Sequence, residues 1–200
     1  MLHNLEVLSP FLLVAYTMWA TPGPNNMMLT NSGARFGFKA TLPHILGIVF
    51  GTCILNLSAL TILKPLIDQW PQLLLILKIV GTVWLLIIGW KMATSHNLNN
   101  GNKKQQPMSF VAATLFQFAN PKAISATLAL VSVALVSIKS DPQLIWIVAL
   151  LIPPLSLLSI IPWVIAGQTI RRFLSTTLRW QIFTWTTGGL TASCAVLLWI

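Results

Sequence analysis

Acidic side chains are nearly missing from this chain: Glu6, Asp68 and Asp141 are the only three in 200 residues, against twelve Lys plus Arg. Charged residues make up 8% of the sequence, whereas soluble domains carry about 25%. So few charges could not keep the surface of a soluble domain in water. The shortage of carboxylates also argues against acid–base enzymes, which usually need pairs of them. We therefore expect no enzymatic activity and no cofactor.

Cysteine is scarce as well. Cys53 and Cys194 show no metal-site or redox spacing, so we expect them to be packing residues and predict no metal site. The net charge of +9 would suit nucleic acid if the basic residues formed one patch on a soluble fold. They are instead spread between long apolar runs, which excludes nucleic acid as an expected partner.

Apolar length is what the chain has in abundance. Hydrophobic residues make up 56% of it, and its mean hydropathy is +0.79. A helix of about 20 mostly apolar residues spans a lipid bilayer, and short connectors separate six such stretches. The sequence therefore predicts an all-α polytopic membrane protein with six transmembrane helices, at residues 7–34, 40–63, 70–90, 109–138, 142–170 and 180–200.

The basic residues predict the orientation of these helices. Cytoplasmic connectors carry an excess of Lys and Arg, so the richer side should be the cytoplasm and both termini should lie outside. The first residues lack the basic start of a signal peptide, so we expect them to remain as part of helix one. The connectors after helices one, three and five contain Arg35, Lys39, Lys91, Lys103, Lys104, Arg171, Arg172 and Arg179, and the opposite side contains Lys64 and Lys139.

A polar connector at residues 98–108 divides the chain into two halves, 1–97 and 109–200, with three predicted helices each. An odd number of helices makes the two halves insert with opposite orientation. The sequence therefore predicts two inverted three-helix repeats. In transporters built this way, binding sites form where interrupted helices meet near the middle of the membrane.

Each half has a helix-breaking sequence in its first helix. Proline has no backbone N–H to donate, so a carbonyl oxygen of the preceding turn loses its hydrogen-bond partner. A carbonyl without a partner cannot face lipid. At about 1.5 Å per residue, the breaks lie about 22 Å and 18 Å into helices one and four, within a hydrocarbon core about 30 Å thick. A helix that restarts there favours an anion such as a carboxylate at its N-terminus. The predicted substrate-binding residues are Pro22, Gly23, Pro24, Asn25, Asn26, Asn120, Pro121 and Lys122; the alternative is that both breaks only bend helices for packing.

Lys122 is the most informative single residue, because a Lys midway through a membrane helix usually serves a function. It could bind a carboxylate or carry a proton; alternatively it only pairs with carbonyls exposed at Pro22. No predicted span contains Asp or Glu, so proton coupling would depend on Lys122, His44 or the substrate itself. His44 could instead bond a neighbouring carbonyl, and Lys78 could reach the lipid headgroups.

Three stretches of the sequence resemble those of one known family. They are residues 21–28 followed by Gly33, Gly37, Gly47 and Gly51; residues 77–85 followed by Gly89, Trp90 and Lys91; and residues 116–123. Together they are similar to the LysE/RhtB amino-acid exporter family over essentially the whole chain, although Trp84 stands where members often have Tyr.

That resemblance implies a bacterial inner (plasma) membrane protein that exports amino acids or close derivatives, driven by the proton-motive force. The Pro-Gly-Pro-Asn-Asn version looks most similar to members that handle small neutral amino acids, including the cysteine and O-acetylserine exporters. The expected partners are thus a small amino-acid substrate and the lipid bilayer, and a homodimer is compatible with the sequence.

Two other functions remain open at this level. The chain could be a structural or assembly subunit of a membrane complex, or it could transport another small solute or an ion. A path for divalent cations would usually need carboxylate or thiolate ligands in the spans. A cavity that contained both breaks and Lys122 would favour transport over an assembly role.

Overall fold

The computed structural model describes residues 2–59, 69–70, 72–94, 106–138 and 144–196. The described part of the chain contains helices and no strand, as expected of an all-α protein. A short 3-10 turn, Arg171–Phe173, precedes the last helix. The described residues form seven α-helices, which are α1 (Leu2–Ala20), α2 (Pro24–Ser58), α3 (Gln72–Ala93), α4 (Phe110–Ala119), α5 (Pro121–Ile138), α6 (Leu144–Ile170) and α7 (Thr177–Ser193).

Helix α2 is really two helices joined at a turn. A straight helix of its 35 residues would be about 52 Å long, and Gly37 interrupts it with φ 79° and ψ 174°. Glycine adopts such a positive φ without the steric cost that other residues meet. The connector expected at residues 35–39 is therefore a tight turn at Gly37, with residues 24–36 (α2a) before it and residues 38–58 (α2b) after it.

Two described stretches, Pro24–Ser58 and Trp146–Phe173, are long and apolar enough to cross a membrane, judged by length and composition. Phe11–Ala20 and Phe110–Ala119 are shorter apolar helices. The outer surface carries many large apolar side chains; Leu150, for example, is 76% exposed. Apolar patches on this scale indicate contact with lipid or protein rather than water.

Glycines allow several helix pairs to approach closely. A Cβ added to Gly51 would meet the backbone of Thr114 in α4 at 2.7 Å, and one added to Gly89 would meet the carbonyl oxygen of Gly188 in α7 at 2.7 Å. Small residues of this kind let membrane helices pack backbone to backbone. The Gly47-Gly51 pair therefore packs α2b against α4 within the chain.

A serine and a threonine side chain cap the N-termini of α4 and α7. The Ser109 hydroxyl accepts a hydrogen bond from the Ala112 N–H at 3.2 Å and caps α4. The Thr176 hydroxyl accepts one from the Arg179 N–H at 3.3 Å and caps α7. Such caps satisfy N–H groups that have no partner inside the helix.

Several predictions lie outside the described part of the chain. They concern residues 98–105 of the predicted connector, the side chains of Lys78 and Trp84, and the charged residues Lys64, Asp68, Lys103, Lys104, Lys139 and Asp141.

Candidate functional site

The two helix interruptions meet at one cavity. Helix α1 ends at Ala20 and α2 begins at Pro24, while α4 ends at Ala119 and α5 begins at Pro121. Between them lies a cavity of about 30 Å³, here called the central cavity; a water molecule needs about 10–15 Å³ on the same kind of measure. Its wall consists of Met18, Trp19, Gly23, Asn25, Asn26, Ile48, Thr52, Gln117, Asn120, Lys122, Ala123, Thr127, Ser156 and Ile160.

The end of α1 leaves backbone carbonyls that side chains must satisfy. The Asn26 amide donates to the Trp19 carbonyl oxygen at 2.9 Å and to that of Thr21 at 2.7 Å. The indole Nε1 of Trp163, on α6, donates to the Ala20 carbonyl oxygen at 3.0 Å. The first interruption is therefore held open by donors from its own restart and from a distant helix.

Lys122 completes this arrangement from the other half of the chain. Its ammonium Nζ donates to the carbonyl oxygen of Thr21 and to that of Pro22 at 3.1 Å. The end of a helix carries partial negative charge, which stabilises a cation there. Gly23 leaves room for the lysine, because a Cβ at that position would lie 2.5 Å from Lys122 Cδ. Lys122 thus pairs with carbonyls exposed at Pro22, as one of the two interpretations of the sequence had it, while it also lines the central cavity.

The second interruption is closed locally. The Asn120 side-chain Oδ1 accepts a hydrogen bond from the Lys122 backbone N–H at 3.1 Å. Pro121 occupies the first helical position, where its missing N–H is not needed. Asn120 therefore caps α5.

A pair of amides connects the two interruptions directly. The Asn25 Nδ2 donates to Gln117 Oε1 at 2.8 Å, and the Gln117 Nε2 donates to Asn25 Oδ1 at 3.3 Å. The Gln117 amide also donates to the Ala113 carbonyl oxygen at 2.9 Å. Gln117 is fully buried, so this pair bonds polar groups that would be costly to leave unpaired away from water.

The structure brings most of the predicted binding residues together. Gly23, Asn25, Asn26, Asn120 and Lys122 line the central cavity. Pro22 contributes its carbonyl oxygen, while Pro24 and Pro121 begin the helices that restart beside the cavity.

Trp163 is the important residue that the sequence interpretation missed. Tryptophans of membrane proteins concentrate at the two interfaces, but Trp163 lies well inside the predicted fifth span. A tryptophan at that depth indicates that its indole N–H has a partner within the protein. In the structure this partner is the Ala20 carbonyl oxygen.

His44 lies elsewhere, so the two candidates for proton coupling do not share a site. It lines a second, larger cavity of about 500 Å³, here called the vestibule. The vestibule lies between α2a, the start of α2b, α3 and the residues before α4. Its wall consists of Met28, Asn31, Ser32, Arg35, Phe36, His44, Ile88, Lys91, Met92, Thr94, Gln106, Pro107 and Met108.

Neither cavity has the chemistry of a metal site. No group of three or more His, Cys, Asp or Glu side chains lies together in the part of the chain that the structure describes. Both cysteines are free thiols.

Comparison with known proteins adds a family and several relatives. Residues 16–200 match the profile of the LysE type translocators. A cysteine/O-acetylserine efflux protein of Klebsiella pneumoniae is 26% identical over 190 residues, which cover 95% of each chain. Proteins of the same description from Shigella flexneri and Salmonella typhimurium are 29% and 26% identical, and each match covers 82% of this chain and 87% of the relative. No solved structure matches the chain significantly.

Proposed function

Because this chain belongs to the family of LysE type translocators, we propose that it is a secondary transporter that exports small amino acids or close derivatives from the cytoplasm. The observation that carries the proposal is the central cavity, where both helix interruptions meet Lys122. The relatives described as cysteine/O-acetylserine efflux proteins point to the same substrate class.

The proposed architecture is six membrane-spanning helices in two inverted repeats. In it, α1 with α2a forms span one, α2b span two, α3 span three, α4 with α5 span four, α6 span five and α7 span six. The packing of the described helices supports this pairing. Gly47 of α2b packs on α4, Phe11 of α1 packs with Val148 of α6, and these two contacts are equivalent if the halves are related by a two-fold axis. Gly89 and Gly188 join the third helix of each half.

At about 30 Å³ the central cavity has room for only about two or three water molecules, so it must widen to admit a substrate; once widened, it would offer complementary ends to an amino-acid zwitterion. The carbonyls of Thr21 and Pro22 now hold the Lys122 ammonium, and they would hold the ammonium group of a substrate in the same way. The N-termini of α2a and α5 favour the substrate carboxylate. The side chain of a small amino acid would then pack against Ile48 and Ile160, which supply the apolar part of the wall.

We assign proton coupling to Lys122, because its ammonium group and that of the substrate would bind the same carbonyl oxygens. The carbonyls at the first interruption hold one ammonium group at a time, so the substrate and protonated Lys122 exclude each other there. Mutual exclusion of substrate and proton at one site is what an exchanger of the two requires, because each must lower the affinity for the other.

The main alternative, a structural subunit of a membrane complex, predicts kinks that serve packing alone. A shared polar cavity between two interruptions distant in sequence favours transport. For an ion transporter, the donor set is unsuited to divalent cations, since amides, hydroxyls and a lysine line the cavity.

The decisive test is counterflow of radiolabelled amino acids in proteoliposomes, with and without a pH gradient. We expect exchange of small neutral amino acids, cysteine and O-acetylserine among them, and faster net export when protons can enter in return. Failure of every amino acid in a folded, correctly oriented preparation would refute the proposed function. Net export that ignored the pH gradient would refute proton coupling alone.

A further inference from the structure

The vestibule carries positive charge that no carboxylate of the described residues neutralises. Arg35 and Lys91 both line it, and the whole chain has only three acidic residues, none of whose side chains is among those that the structure describes. No described carboxylate therefore neutralises these two cations. An anion of matching size inside the cavity would be attracted by both charges.

Aromatic rings fix the Arg35 guanidinium at the vestibule wall. Its central carbon lies 5.4 Å from the centroid of the Phe36 ring and 5.9 Å from that of Trp180, on α7. Contacts with ring faces stabilise the cation and leave its N–H donors in the plane of the guanidinium for other partners. A planar set of donors suits a carboxylate, which can accept two of them at once.

His44 is a further polar group of this wall, and it has no hydrogen-bond partner among the described residues. The residue is 2% exposed, and neither ring nitrogen has a hydrogen-bond partner among the described residues. A buried polar group without a partner lowers the stability of the fold. A polar solute, or water that accompanies it, would recover that stability when a turn of the ring brings a nitrogen to the cavity.

We propose that the vestibule is a second binding site, which holds the carboxylate of an amino-acid-sized solute on Arg35 and Lys91 before the solute enters the central cavity. The direction of travel rests on the proposed function, since both residues belong to connectors predicted to face the cytoplasm. Met28, Met92 and Ile88 give the same wall apolar surface for the rest of the solute.

Helix α2a joins the two sites. Asn26 lines the central cavity and Arg35 the vestibule, nine residues apart on one helix, or about 13.5 Å. Met27, Met28, Met92 and Phe116 form a buried apolar cluster along that path. Methionine is flexible and adapts its shape, so this cluster is suited to open for a solute that passes from the vestibule to the central cavity.

The test compares Arg35→Gln with Lys39→Gln, which removes the same charge from an exposed side chain outside the vestibule. Binding of L-serine and of ethanolamine, its amine without the carboxylate, is measured on the purified full chain by ligand-observed NMR. We expect Arg35→Gln to weaken serine binding about tenfold, which corresponds to about 1.4 kcal/mol. Lys39→Gln should bind like the parent, and ethanolamine should bind weakly to all three.

Transport gives an independent measurement. In proteoliposomes, Arg35→Gln should raise the half-saturating serine concentration on the vestibule side about tenfold while the maximal rate stays within about twofold. Arg35→Lys, which keeps the charge but loses the planar set of donors, should raise half-saturation by a smaller factor than Arg35→Gln. Lys39→Gln, outside the vestibule, should transport like the parent. Lys91→Gln should shift half-saturation in the same direction by a smaller factor.

The outcomes separate this inference from the proposed function. Export with unchanged half-saturation in Arg35→Gln overturns the vestibule site and leaves the proposed function standing. Serine binding that depends on Arg35, in a protein that exports no amino acid, supports the site and refutes the function. Retention of phosphatidylglycerol that depends on Arg35, with serine binding that does not, would assign the charges to a lipid headgroup and overturn the inference.

Discussion

The interruptions at residues 21–23 and at Asn120 lie beside the same cavity, yet they are closed in different ways. Asn120 caps the helix that follows it with its own side chain. The carbonyls around residues 19–22 instead depend on Asn26, on Trp163 from α6 and on Lys122 from α5. A self-contained break can remain rigid while its neighbours move. A break that borrows its donors from other helices changes when those helices or a substrate rearrange, so we expect the first interruption to be the sensitive one.

Replacing Lys122 should cause the largest loss of export, because its ammonium group closes the first interruption. Lys122→Met leaves the Thr21 and Pro22 carbonyls without their ammonium partner, and hydrogen bonds to charged groups are worth about 1.5–3 kcal/mol each. We expect export driven by a pH gradient to fall to the level of empty liposomes, while the protein is still expressed. Lys39→Met, which alters an exposed lysine, is the matched control.

A second substitution distinguishes exchange from a merely structural role. Lys122→Arg keeps a cation for the carbonyls but cannot release its proton at neutral pH. If Lys122 takes part in the exchange, the arginine variant should fold and still fail to export. Near-normal export by either Lys122→Arg or Lys122→Met would refute the role proposed for this residue.

Breaking the hydrogen-bonded amide pair between the interruptions should cause the second-largest loss of export. Gln117→Leu leaves the Asn25 amide unpaired and costs about 1–3 kcal/mol. We expect export to fall about tenfold, which corresponds to about 1.4 kcal/mol in the barrier. Gln168→Leu changes an exposed glutamine of α6 and should export normally. Single and double replacements of Asn25 and Gln117 that added without coupling would show that the pair does not join the two breaks.

A smaller effect, a loss of stability, is expected when a hydrogen-bond donor that another helix supplies to the first interruption is removed. Trp163→Phe keeps most of the ring but leaves the Ala20 carbonyl without its indole partner, which costs about 1 kcal/mol. For a chain of this size that lowers the melting temperature by about 2–4 °C, measured by thermal unfolding in detergent. Trp146→Phe, on the exposed surface of the same helix, should melt like the parent. Equal melting temperatures for both variants would contradict the capping role of Trp163.

The local break should tolerate a conservative change best. Asn120→Ser retains a capping oxygen and should cost only a few tenths of a kcal/mol, whereas Asn120→Ala should cost about 0.5–2 kcal/mol. Thermal unfolding and export should both rank serine close to the parent and alanine below it. If serine proved as damaging as alanine, Asn120 would serve the cavity rather than the helix cap.

Much of the fold could be predicted from periodic and local features. The span predicted at residues 109–138 begins where the structure begins α4, at the Ser109 cap, and the break predicted inside it lies at Asn120 and Pro121. Apolar length predicted an all-helical chain. The reduction of the first connector to a turn at Gly37 was not predicted, because its positive φ depends on how α2a and α2b pack.

The sequence predicted several residues that line the central cavity but missed Trp163, whose indole bonds the Ala20 carbonyl. Proline chemistry pointed to Pro22 and Pro121, and the cost of a buried charge pointed to Lys122. The partnership of Asn25 with Gln117, and of Trp163 with Ala20, joins residues far apart in sequence. One sequence carries no signal for such pairs, since each amide or indole has many carbonyls within reach in an unfolded chain.

By itself the sequence determined that the outer surface is apolar, where the helices are interrupted and how few negative charges the chain has. Each of these follows from residue composition and local backbone chemistry. Only the tertiary structure decided that Lys122 binds the carbonyls of the other half, and that His44 lies in a separate cavity with Arg35 and Lys91. The physical reason is that a hydrogen bond or a cavity wall depends on distances between helices. Those distances are set by close packing at small residues such as Gly51 and Gly89, and no local pattern encodes them.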